Sequence, residues 1–331
     1  MLKSFQGYQP KQAFLSLFTG IVLWLPVFFF DTSKITFFHI SQCPAEQIFR
    51  FASSLPFIPV LIFSFLFWLF IGYLLIWLNR KYLFLETRTF FPLFLSLTVI
   101  PLTGFRFLIT TQALTLPFIF LAVDRIFSSY RKNGVDFSFY MAGFWIGIAS
   151  LIWIHAAYFL IIIFVGLLIF RPFYIREWLV SILGVFTPWY FFGGIYFLVN
   201  LNLKGFFIIL QNSYYDLPVM VSGNLFLLIP LFYFVVLILM ASIRILFAYN
   251  LLKLKNRKAF QVFFWMACLL VAFLLIYRDS YLYFGPVTMI PFIYLISIFF
   301  ISGKASFLKR IIFDLLILVI LASSIYRIII S

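Results

Sequence analysis

The sequence predicts an all-α fold, a polytopic bundle of about eleven transmembrane helices that forms one membrane domain over residues 1–331. Composition is the first observation behind this prediction: 65% of the residues are hydrophobic and only 10% are charged, whereas a soluble domain carries about 25% charged residues. The second observation is that the apolar residues lie in long runs separated by short polar gaps. No water-facing surface can be built from such a chain.

The predicted spans follow the apolar runs. A helix needs roughly 20 apolar residues to cross the hydrocarbon core of a bilayer. Eight runs reach or approach this length, namely 13–30, 55–78, 107–127, 178–199, 225–247, 260–277, 283–301 and the stretch from 311 to the tail. The first run follows Lys3 and Lys11 as a signal peptide would. It ends, however, in three phenylalanines and Asp31 instead of small residues, so we expect an uncleaved first helix.

Two further apolar segments do not have the length of a single membrane-spanning helix. Segment 90–103 is short, and segment 137–170 is too long for one helix and barely long enough for two. The positive-inside rule keeps clusters of Lys and Arg in the cytoplasm, so an even number of crossings must separate neighbouring clusters. Segment 90–103 must then pair with 107–127, and segment 137–170 must form two short helices that turn near residues 150–155. The clusters that impose this arrangement are 80–88, 125–132, 171–176, 253–258 and 304–310.

The resulting topology has eleven crossings of a membrane, with the N-terminus in the cytoplasm and the C-terminus outside. Six of the 24 Lys and Arg residues then lie outside and the other eighteen inside; the six are Lys34, Arg50, Arg106, Lys204, Arg278 and Arg327. The net charge of +15 therefore indicates membrane topology and no nucleic-acid partner, because no basic face of a soluble domain is present. With two His and two Cys in the chain, we expect no metal site and no cofactor.

The two longest polar gaps, 31–54 and 200–224, are both predicted to be external loops, and they hold candidates for chemistry. Asp31 stands at the outer end of the first helix, a rigid position from which a carboxylate can act as general base toward a bound hydroxyl. The alternative is a solvated carboxylate at a helix end. Glu46 in the first loop, and Tyr215 and Asp216 in the second, are candidate substrate-binding residues.

Two external turns contribute Arg106 and Arg278 at the membrane edge. A guanidinium in this position can hold a phosphate bidentately, or its side chain can snorkel to the lipid headgroups. Tyr281 follows Arg278 in the same turn and is a further candidate for substrate binding. His155, between the two short helices of segment 137–170, is either part of a proton relay or a packing residue.

Within residues 116–170, a helix that ends in a basic turn is followed by a glycine-containing helix, with AGFWIGIA at 142–149, and then by a second apolar helix. This stretch resembles a recurrent segment of the GT-C class of polytopic glycosyltransferases. The turn RDSYLY at 278–283, followed by Pro286 and Pro291, is similar to a late turn of those enzymes. They also carry a catalytic carboxylate at the outer end of the first helix, the position of Asp31. The resemblance implies a GT-C-like fold, Asp31 as the catalytic base, and Arg278 or Arg106 as the group that binds the donor phosphate.

The whole chain also resembles an uncharacterised family of polytopic inner-membrane proteins of Bacteroidetes-type bacteria. The residues that carry this resemblance are Asn79-Arg80 after the second helix and the string RPFYIREW at 171–178. The expected function is transfer of a sugar from a polyprenyl-phosphate donor on the outer face of the inner membrane. The expected partners are membrane lipid and the polyprenyl-phosphate-linked sugar. Two alternatives stay open: a transporter or lipid flippase, and a non-catalytic scaffold of an envelope assembly.

Overall fold

A computed structural model describes residues 7, 9–25, 36–39, 56–85, 87–102, 107–171, 174–201, 203–215, 225–247, 253–276, 281–301 and 307–330. This part of the chain is helical apart from two short strands. In chain order its elements are α1 (Pro10–Trp24), β1 (Thr36–His39), α2 (Phe57–Tyr82), α3 (Phe91–Leu102), β2 (Phe107–Thr110), α4 (Thr111–Ser128), α5 (Asp136–Ile152), a 3₁₀ helix (Ile154–Phe159), α6 (Leu160–Phe170), α7 (Ile175–Asn200), α8 (Leu203–Tyr215), α9 (Leu225–Phe247), α10 (Leu254–Ile276), α11 (Tyr281–Ile301) and α12 (Phe307–Ile330).

The predicted division of segment 137–170 is confirmed. Helix α5 ends at Ile152 because Trp153 takes an extended backbone conformation, with φ −145° and ψ 107°. The 3₁₀ helix then reverses the chain, and α6 returns along the bundle. The short segment 90–103 also forms a helix of its own, α3, which packs against α1, α2, α11 and α12.

Two predicted elements differ from the structure. The helix expected from residue 107 begins only at Thr111, since residues 107–110 form β2, which pairs in parallel with β1 in the register Thr36↔Phe107. The Thr110 side chain accepts a hydrogen bond from the Ala113 N–H at 3.2 Å, and this cap sets the start of α4. In addition, the predicted external loop 200–224 contains the helix α8, because Phe206 at its start packs against the apolar face of α7.

Four of the basic clusters meet at one end of the bundle, which we call the basic end. Lys81 Nζ at the end of α2 lies 2.6 Å from Asp124 Oδ1 near the end of α4. Lys255 at the start of α10 lies 5.3 Å from the centre of the Tyr82 ring. After α6, Arg171 donates a hydrogen bond to the backbone carbonyl of Lys132 at 2.6 Å. Clusters 80–88, 125–132, 171–176 and 253–258 therefore lie on the same side of the bundle, as the sequence predicted.

Helices α5 and α7 form the closest helix pair and run parallel. Both begin at the basic end, where Arg176 Nε lies 3.2 Å from Asp136 Oδ2. A Cβ atom added at Gly147 of α5 would lie 2.6 Å from the backbone oxygen of Val185, and Gly143 and Gly184 meet the opposite backbone more closely still. Glycine at these positions lets the two backbones touch, as small residues do at helix interfaces in membranes.

Two of the described helices, α2 and α7, are long and apolar enough to cross a membrane by length and composition. Four shorter apolar helical segments accompany them, at Asp136–Ile152, Ile154–Phe170, Val236–Leu246 and Ile290–Ile301. The surface of α7 agrees with this, since Leu183 and Phe186 near its centre are 60% and 64% exposed. The described structure is thus helical, and two of its helices are candidates for membrane insertion.

Candidate functional site

The residues that the sequence singled out for chemistry fall mostly outside the described part of the chain. This applies to Asp31, Glu46, Arg106, Asp216 and Arg278. Tyr215 ends α8 and Tyr281 begins α11, but for these two residues only the backbone is described. The candidate site is therefore built from the residues that surround these positions.

Helices α7 and α8 form an apolar hairpin at the end of the bundle opposite the basic end, which we call the cavity end. Helix α7 continues past Trp189 to Asn200, about 16 Å further. There the chain turns at Leu201, which takes the left-handed conformation with φ 49° and donates its N–H to the Phe197 carbonyl at 2.8 Å. Helix α8 then folds back so that the Phe206 ring packs 5.8 Å from the Tyr196 ring.

An apolar cavity of about 620 Å³ lies between this hairpin and the 3₁₀ helix. Its origin is geometric. The parallel pair α5 and α7 stays in contact up to Ser150, whose Oγ accepts a hydrogen bond from Trp189 Nε1 at 2.7 Å. Beyond that point α5 ends while α7 continues, and the space left beside α7 is covered by α8. The lining residues are Ile154, Ala157, Val185, Phe186, Trp189, Tyr190, Phe206 and Leu210.

A cluster of aromatic and polar side chains joins the 3₁₀ helix to α8 beside the cavity. The hydroxyl groups of Tyr158 and Tyr214 form a hydrogen bond of 3.1 Å. The His155 ring is 1% exposed and stacks on the Tyr214 ring at 5.2 Å. The Trp153 ring also lies near it, with ring centres 5.6 Å apart. His155 therefore packs against two aromatic rings.

The first turn of α4 is a second polar feature of the cavity end. Thr110, Thr111, Gln112 and Thr115 are each 2% exposed or less. The Thr111 hydroxyl lies 3.4 Å from Gln112 Oε1, and Thr115 donates to the Gln112 carbonyl at 2.6 Å. Helix α4 packs against α5 and the 3₁₀ helix. Because α4 and α5 are antiparallel and of similar length, the first turn of α4 lies level with the 3₁₀ helix.

Two lysines that precede predicted spans have lowered pKa values. Lys309, which precedes the predicted last span, is 1% exposed, and its ammonium lies 6.0 Å from the Phe299 ring centre. Burial, with a smaller contribution from the positive charge of Arg244, lowers the pKa of Lys309 to about 8. Burial also lowers the pKa of Lys255, ahead of the predicted span 260–277.

Within the described ranges no group of three His, Cys, Asp or Glu side chains is placed to hold a metal ion.

The two short helices of segment 137–170 were expected to leave an apolar cavity at their blunt end, and a cavity does lie beside the 3₁₀ helix. Sequence reasoning missed helix α8, which forms one wall of it. Its signal was present in the loop 200–224, where Phe206 and Leu210 are four residues apart and so share one face of a helix. That pattern indicates an amphipathic helix inside the presumed loop. The opposite wall is formed by α7 and the 3₁₀ helix, which are far apart in the sequence, so no local pattern pairs them.

Comparison with protein-family models, with curated proteins and with solved structures finds no significant match to this chain.

Proposed function

We propose that this chain is a multi-pass protein of a bacterial inner membrane that transfers a sugar from a polyprenyl-phosphate donor at the outer face. In this proposal the basic end faces the cytoplasm and the cavity end faces outward. The cavity holds the isoprenoid chain of the donor. The observation that carries the proposal is the apolar cavity of about 620 Å³ at the cavity end.

The lining of the cavity favours a hydrocarbon ligand. Aliphatic and aromatic side chains dominate it, and the indole N–H of Trp189 is already bonded to Ser150. Inside a bilayer a prenyl chain is held in such a cavity by van der Waals packing against these side chains, since lipid tails are equally apolar. Tyr190, which lines it, is 79% exposed, so the cavity borders the outer surface of α7. In a bilayer that surface faces lipid, from which a prenyl chain enters sideways.

The pairing of β1 with β2 supports the proposed chemistry. Its register sets Thr36 opposite Phe107, the residue that follows Arg106. Thr36 in turn lies five residues after Asp31. The two strands that follow the proposed general base and a proposed phosphate-binding arginine in the chain are thus neighbours. In the proposed reaction Asp31 takes the proton from the acceptor hydroxyl while Arg106 or Arg278 stabilises the departing lipid phosphate.

Sugar transfer in proteoliposomes tests this function. The purified chain is supplied with a radiolabelled polyprenyl-phosphate sugar and a membrane extract as the source of acceptor. We expect label to move from the donor to an acceptor, and Asp31→Asn to reduce the rate by roughly 10²- to 10⁴-fold. Asp136→Asn, at the basic end, is the matched control and should transfer at the parent rate.

Two results would contradict the proposal. Transfer by Asp31→Asn at the parent rate would remove Asp31 from the reaction and return it to the role of a helix-end carboxylate. Movement of the intact donor across the bilayer without transfer would identify a flippase instead.

A further inference from the structure

We infer that the first turn of α4 binds the phosphate group of a lipid-linked phosphate, with the side-chain amide of Gln112 as a donor. This inference rests on the proposed function, whose substrate carries such a group. It assigns a binding role to Gln112, which stands six residues after Arg106 in the sequence.

The amide of Gln112 is the observation that points to a ligand. Its side chain is 0% exposed, and its Nε2 atom has no hydrogen-bond partner in the described structure. A buried amide without a partner is destabilising, so such groups are uncommon and call for an explanation. The Thr111 hydroxyl lies 3.4 Å from the side-chain oxygen of Gln112, which leaves the two amide hydrogens available.

The position of Gln112 adds a second reason. It is the second residue of α4, a helix of 18 residues. The first N–H groups of a helix have no acceptor within the helix, and the helix dipole places partial positive charge there. The Thr110 side chain already accepts from Ala113, whereas the Gln112 N–H is one of those without an intrahelical acceptor. Helix N-termini of this kind bind phosphate groups.

The surroundings of Gln112 favour a phosphate that is attached to a lipid. Helix α4 packs against the 3₁₀ helix, two residues of which, Ile154 and Ala157, line the apolar cavity. A chain in the cavity and a phosphate at the first turn of α4 would both lie beside the same 3₁₀ helix. Arg106 also precedes β2, the strand that leads directly into α4. Every donor named here suits an anion, and none is a carboxylate that would repel it.

Binding measurements with the reconstituted chain test the inference. The probes are a polyprenyl phosphate, the matching polyprenol and inorganic phosphate. We expect the parent to bind the polyprenyl phosphate roughly 10- to 100-fold more tightly than the polyprenol, the range for a charge-assisted hydrogen bond. Gln112→Met keeps the length of the side chain and removes the donor. It should lose most of this preference while polyprenol binding stays at the parent level.

Two further variants make the test decisive. Ser297→Ala, in α11, is the control. It removes a fully buried hydroxyl that also lacks a hydrogen-bond partner in the described structure, and it should leave the preference for the phosphate unchanged. Gln112→Glu replaces the donor with a negative group that a helix N-terminus tolerates, so it should fold and also lose the preference. Competition by inorganic phosphate would assign the site to free phosphate as well. Absence of competition would assign it to the lipid alone.

The inference is overturned if Gln112→Met and Gln112→Glu, both folded, keep the parent's preference for the phosphate. It is also overturned if the parent binds polyprenol and polyprenyl phosphate equally. Failure of the proposed function has a different signature, because it shows as absent sugar transfer or absent binding of both lipids.

Discussion

At the basic end charges are paired and rings are packed, whereas at the cavity end apolar side chains are exposed and a cavity remains. Asp124, for example, accepts hydrogen bonds from Lys81 and from the Tyr82 hydroxyl, while Phe263 is 1% exposed. Tyr190 and Leu198 of the α7–α8 hairpin are 79% and 76% exposed. The comparison shows that charge pairs and packed rings join the helices at one end of the bundle, whereas the other end contains an apolar cavity. The predictions below test this division, from the largest expected effect on stability to the smallest.

The largest effect is expected where α5 and α7 touch. Gly184→Leu should destabilise the folded protein by about 3 kcal/mol or more, because the new side chain meets the backbone of Tyr140 and Phe144 and the helices must separate. Gly194→Leu, on the same helix at the cavity end, is the control, since no atom lies within 4 Å of its added Cβ. Thermal unfolding in detergent measures both. Equal loss in the two variants would refute the division into a packed and an open part of α7.

A smaller effect is expected from the ion pair at the basic end. Asp124→Ala should destabilise by about 2 kcal/mol, because Lys81 and the buried Tyr82 hydroxyl lose an acceptor. Asp136→Ala is the matched change. Its pair with Arg176 is largely exposed, the Arg176 side chain by 81%, so at most about 0.5 kcal/mol should be lost. A double-mutant cycle with Lys81→Ala that returns no coupling would show that the Asp124 pair does not hold α2 against α4.

The buried Lys309 makes stability depend on pH. Its pKa of about 8 lies below the ordinary value of 10.5, so between these two pH values the unfolded chain binds more protons than the folded protein. Stability should therefore rise between pH 8 and pH 10.5, by on the order of 1–2 kcal/mol. Unfolding midpoints measured across this range should rise in the parent and stay more nearly level in Lys309→Met. Parallel pH profiles for the two proteins would place the Lys309 ammonium in contact with water.

The smallest change in stability is expected in the cavity. Ala157→Leu extends into empty space and should alter stability by no more than about 0.5 kcal/mol, while it lowers the affinity for a polyprenol at least about tenfold by occupying its place. Ala156→Leu is the same substitution one residue earlier. Ala156 is 0% exposed in the core, so overpacking there should destabilise by about 1–3 kcal/mol. Unchanged polyprenol affinity in Ala157→Leu would mean that the cavity does not hold the chain.

The candidate site was only partly predictable. The reversal of the chain within segment 137–170 followed from the basic residues at its two ends, and α5, the 3₁₀ helix and α6 confirm it. The candidates Tyr215 and Asp216 belong to the predicted loop 200–224, which also supplies Phe206 and Leu210 to the cavity lining. Gln112 stands six residues after Arg106 in the sequence. Its burial could not be foreseen, because a polar residue at the edge of an apolar run is usually exposed.

The sequence by itself determined where most of the helices lie and that four clusters of Lys and Arg share one end of the bundle. Both are properties of local composition, since about 20 apolar residues make a span and the charges between spans set its direction. Only the tertiary structure decided that α5 and α7 run side by side through Gly143, Gly147 and Gly184. It also decided that α8 folds back over the space where α5 ends, and that β1 pairs with β2. These features depend on contacts between residues far apart in the chain, such as Trp189 with Ser150, and no local pattern encodes which distant faces meet.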